Sequence, residues 1–578
     1  MYFPHNMDFR GRAYPIPPTL NHLGNDLCRG LLQFDVAKPL GSSGYRWLKI
    51  HLANLHGYDK HSFTERENYV MENLDHIFDS ADKPLTGNRW WLQSEDPWQC
   101  LAACYEVSAA VRSGDPENFK SQLPIHQDGT CNGLQHYAAL GGDLAGAQAV
   151  NLAPSDRPAD VYTGVAEMVN KLVDQEATEG HPDAIVLQGK ISRKIVKQTV
   201  MTNVYGVTFV GARQQIENRL KERSDIPSDQ VYHLAGYLAK KVFASLGEMF
   251  NGARQIQDWL TDSARRIAKS IPDETIRAMD ATIGEGFKVD SNSELDQNAM
   301  EYTIDKIYAT ANKKKSFSAR NPGANQMTSV VWTTPLGLPI VQPYRRVGKR
   351  QVSTLLQTVF IEDPDASCPV NSHKQSTAFP PNFIHSLDAT HMLMSAVACQ
   401  NAGLAFASVH DSYWTHAADV DTMNKIIRDQ FIELHKQPIM ESLRTEFIER
   451  YQGYKVPVSR EVPRATKKSA KEEAEKLVSP EKAHKEVLSM GFASEDVVRK
   501  ELEDMKKSDD NELAAIFGTV NDEDDADEEN DEDPDAVSAT ARRGKKYTHS
   551  WEELTFMPLP AKGEFDIQQV KESDYFFH

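Results

Sequence analysis

Residues 404–420 read LAFASVHDSYWTHAADV, and the assignment of the fold depends on this stretch. Its apolar positions at 404–409 and at 413–415 predict two short strands. The pair His410-Asp411 stands between them, and an Asp-Ser dipeptide is a common turn element. Two interpretations are open: Asp411 is an ordinary turn residue, or a rigid hairpin presents its carboxylate to a metal ion.

A second carboxylate has a similar setting. The stretch LPIHQDGTCNGLQHYAAL predicts a strand over 123–126, followed by Asp128-Gly129 and a helix from about Asn132. An aspartate between a strand and a helix is commonly no more than a helix cap. Two such carboxylates together, however, are the ligands with which two Mg²⁺ ions about 4 Å apart support phosphoryl transfer.

The stretch SRKIVKQTVMTNVYG at 192–206 predicts a helix that ends at its glycine. Residues four apart drift by only about 40° per step around an α-helix, so they form one stripe. The residues of this stripe are Arg193, Lys197, Met201 and Tyr205. The stripe is either a solvated basic face or a surface for a nucleoside triphosphate. In the second case the cations bind phosphate oxygens and the ring contacts the nucleoside.

The composition indicates a large globular protein. The chain has 578 residues, 40% of them apolar and 25% charged, which is enough for several subdomains. Its six cysteines form no CxxC pair and have no zinc-site spacing, so we expect reduced thiols. No run of 18 apolar residues occurs, and no membrane span is expected.

The net charge of −19 argues against nucleic-acid binding only if the charge is assumed to be spread over the whole chain. Residues 471–550 contain 24 Asp and Glu against 12 Lys and Arg, and 11 of the acidic residues lie in 521–535. Such a run is typical of a disordered segment, so 461–546 is interpreted as a charged, partly disordered insertion. The remainder of the chain carries only −7, which leaves room for a local basic cleft.

Two further elements are predicted between the candidate carboxylates. Residues 329–362 are strand-like and suggest a hairpin with a basic tip. The basic residues at this tip are Arg345, Arg346, Lys349 and Arg350. The stretch PPNFIHSLDATHM then predicts a helix that begins at its prolines, contains His385 and ends near Gly403.

These motifs, taken together, resemble those of the bacteriophage-type single-subunit DNA-dependent RNA polymerases. The matching stretches are NMDFRGRAYPIPP, DGTCNGLQHYAAL, RKIVKQTVMTNVYG, PNFIHSLDATHM and VHDSYWTHAADV, in that order. The resemblance is nearest to the fungal mitochondrial members. It runs from residue 2 to the end, apart from 461–546, and it implies that the N-terminal domain and thumb of complete members are absent here.

The resemblance implies the following site. Asp128, Lys197 and Asp411 match the catalytic set, and Asp128, Asp411 and the Gly129 carbonyl match ligands of two Mg²⁺ ions. The nucleotide-binding residues implied are Arg193, Lys197, Met201, Tyr205 and His385, with Tyr205 and His385 at the ribose. The nucleic-acid-binding residues implied are Arg10, Arg12, Tyr14, Arg345, Arg346, Lys349, Arg350 and His410. The terminal DYFFH matches an aromatic foot near the site.

The resemblance also implies an α+β fold, the right-hand palm and fingers of a polymerase, mostly helical with a small antiparallel palm sheet. The domains implied are palm at 1–155, fingers at 156–384 with a promoter-reading hairpin at about 339–362, palm at 385–460, the insertion at 461–546, and a C-terminal palm or foot segment at 547–578. The expected partners are DNA template and promoter, RNA, ribonucleoside triphosphates and a mitochondrial transcription initiation factor, and the expected location is the mitochondrial matrix.

Two other functions compete with RNA synthesis. Related family A DNA polymerases share the basic-helix spacing, but they place a bulky Glu five residues after the first Asp and an aromatic residue four after the Lys. This chain has Gly133 and Met201 there, and His385 suits a ribose 2′-hydroxyl. The third interpretation is a truncated, catalytically silent fragment that only binds nucleic acid.

Overall fold

The structure is a computed structural model. It describes residues 3–203, 207–223, 225–227, 229–274, 276–277, 328–346, 348–354, 357–363, 370–461 and 547–578. Within these ranges, no helix is long and apolar enough to cross a bilayer.

The described residues are mostly helical, as expected. The α-helices are Asp26–Gly30, Gly41–Leu55, Phe63–Glu72, Leu74–Asp82, Pro97–Arg112, Asn132–Gly141, Leu144–Ala149, Val161–Thr178, Pro182–Leu187, Arg193–Asn203, Phe209–Lys221, Val231–Met249, Asn251–Lys269, Ser372–Asn401, Val420–His435 and Ile439–Arg450. Short 3₁₀ helices are Trp90–Gln93, Ala417–Asp419 and Ile567–Glu572.

The strands form small antiparallel sheets, which was also expected. The two-stranded pairs are His5–Met7 with Ala13–Pro15, Lys38–Pro39 with Lys120–Ser121, Val331–Thr333 with Pro339–Val341, and Gly348–Ser353 with Thr358–Asp363. Strand Tyr454–Glu461 lies between Ile271–Pro272 and Tyr547–Glu553 in a three-stranded sheet.

The sheet that matters most for function, here called the carboxylate sheet, joins three strands. Ala407–Val409 and Ser412–His416 form the predicted hairpin around His410-Asp411. Pro124–Asp128 pairs with Ser412–His416 along its whole length, so that Asp128 lies opposite Ser412. The two stretches that carry the candidate aspartates are therefore neighbouring strands.

Two hydrophobic cores hold this sheet. Ile125 packs into a core built on helices Gly41–Leu55 and Pro97–Arg112. Tyr413 packs into a larger core that includes Phe379 of helix Ser372–Asn401. All three side chains are fully buried, so packing against both cores fixes the strands.

The helix after the strand-rich segment begins earlier than predicted. It runs over Ser372–Asn401, with Asn371 as its N-cap, and Pro380 and Pro381 lie inside it. The expected start at the prolines was wrong, although the expected end near Gly403, which has a φ of 73°, is confirmed. An internal proline removes one backbone hydrogen bond, but both prolines are buried here, and burial offsets that loss.

The single basic-tipped hairpin expected within 329–362 is also wrong. The segment forms two hairpins, and the second one turns between Ser353 and Thr358. Arg345 and Arg346 precede the second hairpin, and the positions of Lys349 and Arg350 lie within its first strand. None of the four is at a tip, because the strand pairing begins at Gly348.

The chain divides into two compact units. The first comprises Met1–Ser293, Ile307–Pro457 and Trp551–His578 and contains both cores. The second comprises Glu294–Lys306 and Val458–Ser550, of which only 458–461 and 547–550 are described.

Candidate active site

The turns that carry the two aspartates are bonded directly to each other. The Gly129 amide donates to the Asp411 carbonyl at 3.1 Å. Each turn also contains a residue other than glycine with left-handed backbone: His410 with a φ of 54° and Cys131 with a φ of 56°. Such residues are uncommon and cost free energy, and they cluster at functional turns.

The C-terminus closes the sheet on its far edge. The Asp128 amide donates to the His578 carbonyl at 3.4 Å, and the His578 amide donates back at 3.1 Å. The Phe577 ring stacks on Tyr413 with 5.1 Å between centroids and lies against Gly129, where an added Cβ would come within 3.2 Å of Cζ. A side chain at 129 would crowd this ring, which would have to shift by a few tenths of an ångström, so the close approach favours glycine.

The two aspartates share a negatively charged setting. Asp411 is half-buried, and burial together with the charges of Asp388 and Asp128 raises its pKa to about 7. Asp128 is exposed at the end of its strand, but the protein around it still desolvates the carboxyl and raises its pKa. Burial disfavours ionisation of both carboxyls, and the charge of Asp128 adds to this effect at Asp411; a bound cation would reverse it.

Sequence reasoning missed the third carboxylate, Asp388. It lies three residues after His385 on helix Ser372–Asn401 and is 2% exposed. Arg12 donates to its Oδ2 from Nη2 at 2.7 Å and from Nε at 3.1 Å, and Asn132 donates to its Oδ1. An aspartate on the apolar face of a predicted helix was the available signal, because a buried charge requires a partner.

The hairpin His5–Met7/Ala13–Pro15 brings the predicted N-terminal residues to this site. Arg10 donates from Nη1 to His385 Nδ1 at 2.8 Å, and the Tyr14 ring meets the His410 ring edge-on at 4.8 Å. Because a guanidinium only donates, Nδ1 of His385 is the acceptor. Burial and the charges of Arg12 and Arg10 lower the pKa of His385 to about 2, so its ring is neutral and carries its proton on Nε2.

Helix Arg193–Asn203 buries one face, which includes Ile195 and Val196, while Arg193 of the predicted stripe is half-buried. Arg193 donates from Nε to Asp160 Oδ2 at 2.6 Å and lies over the Tyr162 ring at 5.3 Å. Lys197 and Met201 are both exposed. Among the described residues, neither has a hydrogen bond, ion pair or ring contact that links it to the carboxylates, and Tyr205 lies outside those residues.

The family model for DNA-dependent RNA polymerase matches residues 38–578. The chain belongs to this family. Over its full length it is 41% identical to a mitochondrial DNA-directed RNA polymerase of Neurospora crassa and 44% identical to one of Schizosaccharomyces pombe. The DNA-directed RNA polymerase 2, chloroplastic/mitochondrial, of Arabidopsis thaliana is 49% identical over 77% of the chain. The resemblance inferred from the motifs is thereby confirmed.

The chain spans less than half the length of these polymerases. It covers 46% of the Neurospora protein, 40% of the Schizosaccharomyces protein and 39% of the Arabidopsis protein. The match to the family model nevertheless includes both carboxylate turns, the basic helix and the C-terminus.

Membership of the RNA polymerase family implies dependence on a divalent metal, and the residues present fit one. Asp128 and Asp411 offer hard oxygen ligands, and burial together with the charges of Asp388 and Asp128 raises the pKa of Asp411, an effect that a bound cation would offset. Within the described ranges, no three His, Cys, Asp or Glu side chains form a metal cluster. Mg²⁺ usually binds one or two carboxylates and takes its other ligands from water and substrate phosphates.

Proposed function

We propose that the chain contains the site at which ribonucleoside triphosphates are joined to an RNA 3′ end under the direction of a DNA template. One observation carries this proposal. Two carboxylates that are distant in sequence lie together at one end of the carboxylate sheet. The antiparallel pairing of Ser412 with Asp128 and the hydrogen bond from the Gly129 amide to the Asp411 carbonyl hold them there. Family membership supplies the reaction class, and the strand pairing supplies the residues.

Asp128 and Asp411, with the Gly129 carbonyl, would hold two Mg²⁺ ions. When bound, these ions would activate the RNA 3′ hydroxyl and stabilise charge on the transferring phosphate. Arg193 and Lys197 would bind the triphosphate. In this proposal the carboxylate sheet is the palm, which draws on 1–155, 385–460 and 547–578, and 156–384 supplies the fingers.

The selection of ribose over deoxyribose is proposed to depend on four positions. Gly133 leaves space beside Asp128, and Met201 on the basic helix provides an adaptable apolar contact. The His385 ring, held by Arg10, presents a proton donor at Nε2 that suits a 2′-hydroxyl oxygen. Tyr205 is proposed to complete this set.

Nucleic acid would contact the N-terminal hairpin and the basic residues before and within the second hairpin. The residues proposed for these contacts are Arg10, Arg12, Tyr14, His410, Arg345, Arg346, Lys349 and Arg350. The relatives are named mitochondrial or chloroplastic/mitochondrial polymerases, which supports a mitochondrial location for this protein. Promoter DNA and an initiation factor are proposed as partners on the same basis.

A primer-extension assay tests this function. The full chain is incubated with an RNA primer annealed to DNA, Mg²⁺, and ribo- or deoxyribonucleotides. We expect ribonucleotide addition by the wild type and none by Asp411→Asn, because an amide cannot supply the negative charge that the metal requires. The matched control is Asp82→Asn, which alters an aspartate on an exposed surface ion pair.

The outcomes separate the competing functions. Preferential deoxyribonucleotide addition would support a DNA polymerase. Scaffold binding without extension would support a silent fragment. Normal extension by folded Asp411→Asn would overturn the assignment of this carboxylate as a metal ligand.

A further inference from the structure

Asp160 connects the beginnings of two helices, Val161–Thr178 and the basic helix Arg193–Asn203. It is the N-cap of helix Val161–Thr178, where its Oδ1 accepts from the Tyr162 amide at 3.3 Å. Its Oδ2 accepts from the Thr163 hydroxyl at 2.6 Å and from Nε of Arg193 at 2.6 Å. Arg193 is the first residue of the basic helix, so a single carboxylate fixes the beginning of both helices.

Asp160 is the more buried partner of this ion pair. The side chain of Asp160 is 13% exposed, whereas that of Arg193 is 36% exposed. Burial acts to raise the pKa of Asp160, but the hydrogen bonds from Thr163 and Arg193 outweigh it, and the pKa is lowered. Asp160 is therefore ionised at neutral pH and accepts all three hydrogen bonds as a carboxylate.

The geometry leaves the outer part of Arg193 available. Asp160 takes the Nε edge of the guanidinium, and the Tyr162 ring lies 5.3 Å from its central carbon. Neither Nη1 nor Nη2 of Arg193 makes a hydrogen bond or ion pair to any residue that the structure describes. These two groups carry four N–H donors in a planar fork that matches phosphate oxygens.

Tyr162 lies between Arg193 and the turn that follows Asp128. Its side chain interacts with that of Cys131, the left-handed residue of this turn, and its ring lies under the Arg193 guanidinium. A rigid ring in this place would help to set the distance between the metal ligands and the phosphate-binding cation.

We propose that Asp160 and Tyr162 are positioning residues that hold the Arg193 guanidinium by one edge and one face, so that its Nη groups meet the incoming triphosphate. This inference rests on the nucleotidyl-transfer function proposed above. The alternative on the same contacts is competition, in which Asp160 and phosphate bind Arg193 in turn. The two roles predict opposite changes in nucleotide affinity when Asp160 loses its charge.

Asp160→Asn separates these roles. Asparagine is a good N-cap, so the helix is retained, but its single side-chain oxygen cannot serve both the Tyr162 amide and Arg193. We expect the KM for ribonucleotides in primer extension to rise about tenfold or more while kcat changes much less, because a charge-assisted contact to the ground state is weakened. The matched control is Glu222→Gln. It breaks the exposed ion pair that Lys194, which lies on the same helix as Arg193, makes with Glu222, and it should leave KM unchanged.

A double-mutant cycle shows whether Asp160 acts through Arg193. Asp160→Asn should add little to the KM of Arg193→Gln, since the positioned group is already absent. Equilibrium binding of ATP to the wild type and to Asp160→Asn provides a measurement that does not depend on chemistry. Weaker binding by the variant supports the proposal even if the wild type does not extend a primer, which would overturn only the proposed function. Unchanged or tighter binding, or fully additive effects with Arg193→Gln, would overturn the positioning role.

Discussion

Replacement of Arg12 by methionine should destabilise the protein strongly. Arg12 donates two hydrogen bonds to Asp388 Oδ2, at 2.7 and 3.1 Å, and only 2% of the Asp388 side chain is exposed. Methionine keeps much of the apolar stem but removes the cation. A carboxylate is then left in the protein interior, and among the described residues the Asn132 side-chain amide is its remaining hydrogen-bond donor.

The expected cost is set by burial. Breaking a buried ion pair by removing one partner costs about 3–5 kcal/mol, because the other charge is left uncompensated. Burial already raises the pKa of Asp388, and the loss of Arg12 would raise it further until the group is protonated, which limits the penalty. The matched control is Arg112→Met, which breaks a two-bond pair with Asp82 whose side chains are about half exposed. Its cost should be much smaller, because water solvates the carboxylate that remains.

Denaturant unfolding, followed by circular dichroism, measures both variants. A third variant, Arg12→Met with Asp388→Asn, removes the unpaired charge and should be no less stable than Arg12→Met alone. The reasoning is refuted if Arg12→Met loses no more stability than Arg112→Met. It is also refuted if the two changes at 12 and 388 add up fully, because a shared ion pair requires coupling between them.

Three further outcomes are expected. Burial lowers the pKa of His51 and of His435 to about 3 from 6.5, so the unfolded state binds protons that the native state excludes. The stability that these two neutral rings contribute should be fully present above pH 6.5 and should be lost as the pH drops toward 3. Unfolding midpoints across that range measure this loss. Tyr205→Phe should admit deoxynucleotides more readily in primer extension, and unchanged ribose selectivity would count against its role. Gly129→Ala should lower the unfolding midpoint by overpacking, at a cost of about 1–3 kcal/mol, and Phe577→Leu should relieve part of that loss; full additivity would contradict the contact.

The parts of the fold that the sequence predicts are those with local causes. The hairpin around His410-Asp411 follows from two apolar runs and a turn pair, and the strand before Asp128 follows from an apolar run that ends at Gly129. The pairing of these two strands cannot be read from either motif alone, because it depends on the two cores that pack against the sheet. It was the family resemblance that placed the two aspartates together.

The errors have a common cause in tertiary packing. Pro380 would normally mark a helix start, but the apolar residues around it are buried deeply enough to keep the helix continuous from Ser372. The two hairpins in 331–363 were merged because the apolar pattern does not show where pairing begins. Asp160 was overlooked for a different reason: as a residue before a helix it is already explained as an N-cap, so its bond to Arg193 left no signal.

The distribution of countercharges separates the three carboxylates by role. Asp388 is fully buried, and Arg12 neutralises it within the protein. Asp128 and Asp411 are closer to solvent, and among the described residues neither has a cationic side chain within 4.0 Å. A protein that only needed a stable turn would gain from pairing these charges or replacing them with amides. Here burial and the charges of Asp388 and Asp128 raise the pKa of Asp411, as expected for a site whose countercharge arrives with its ligand.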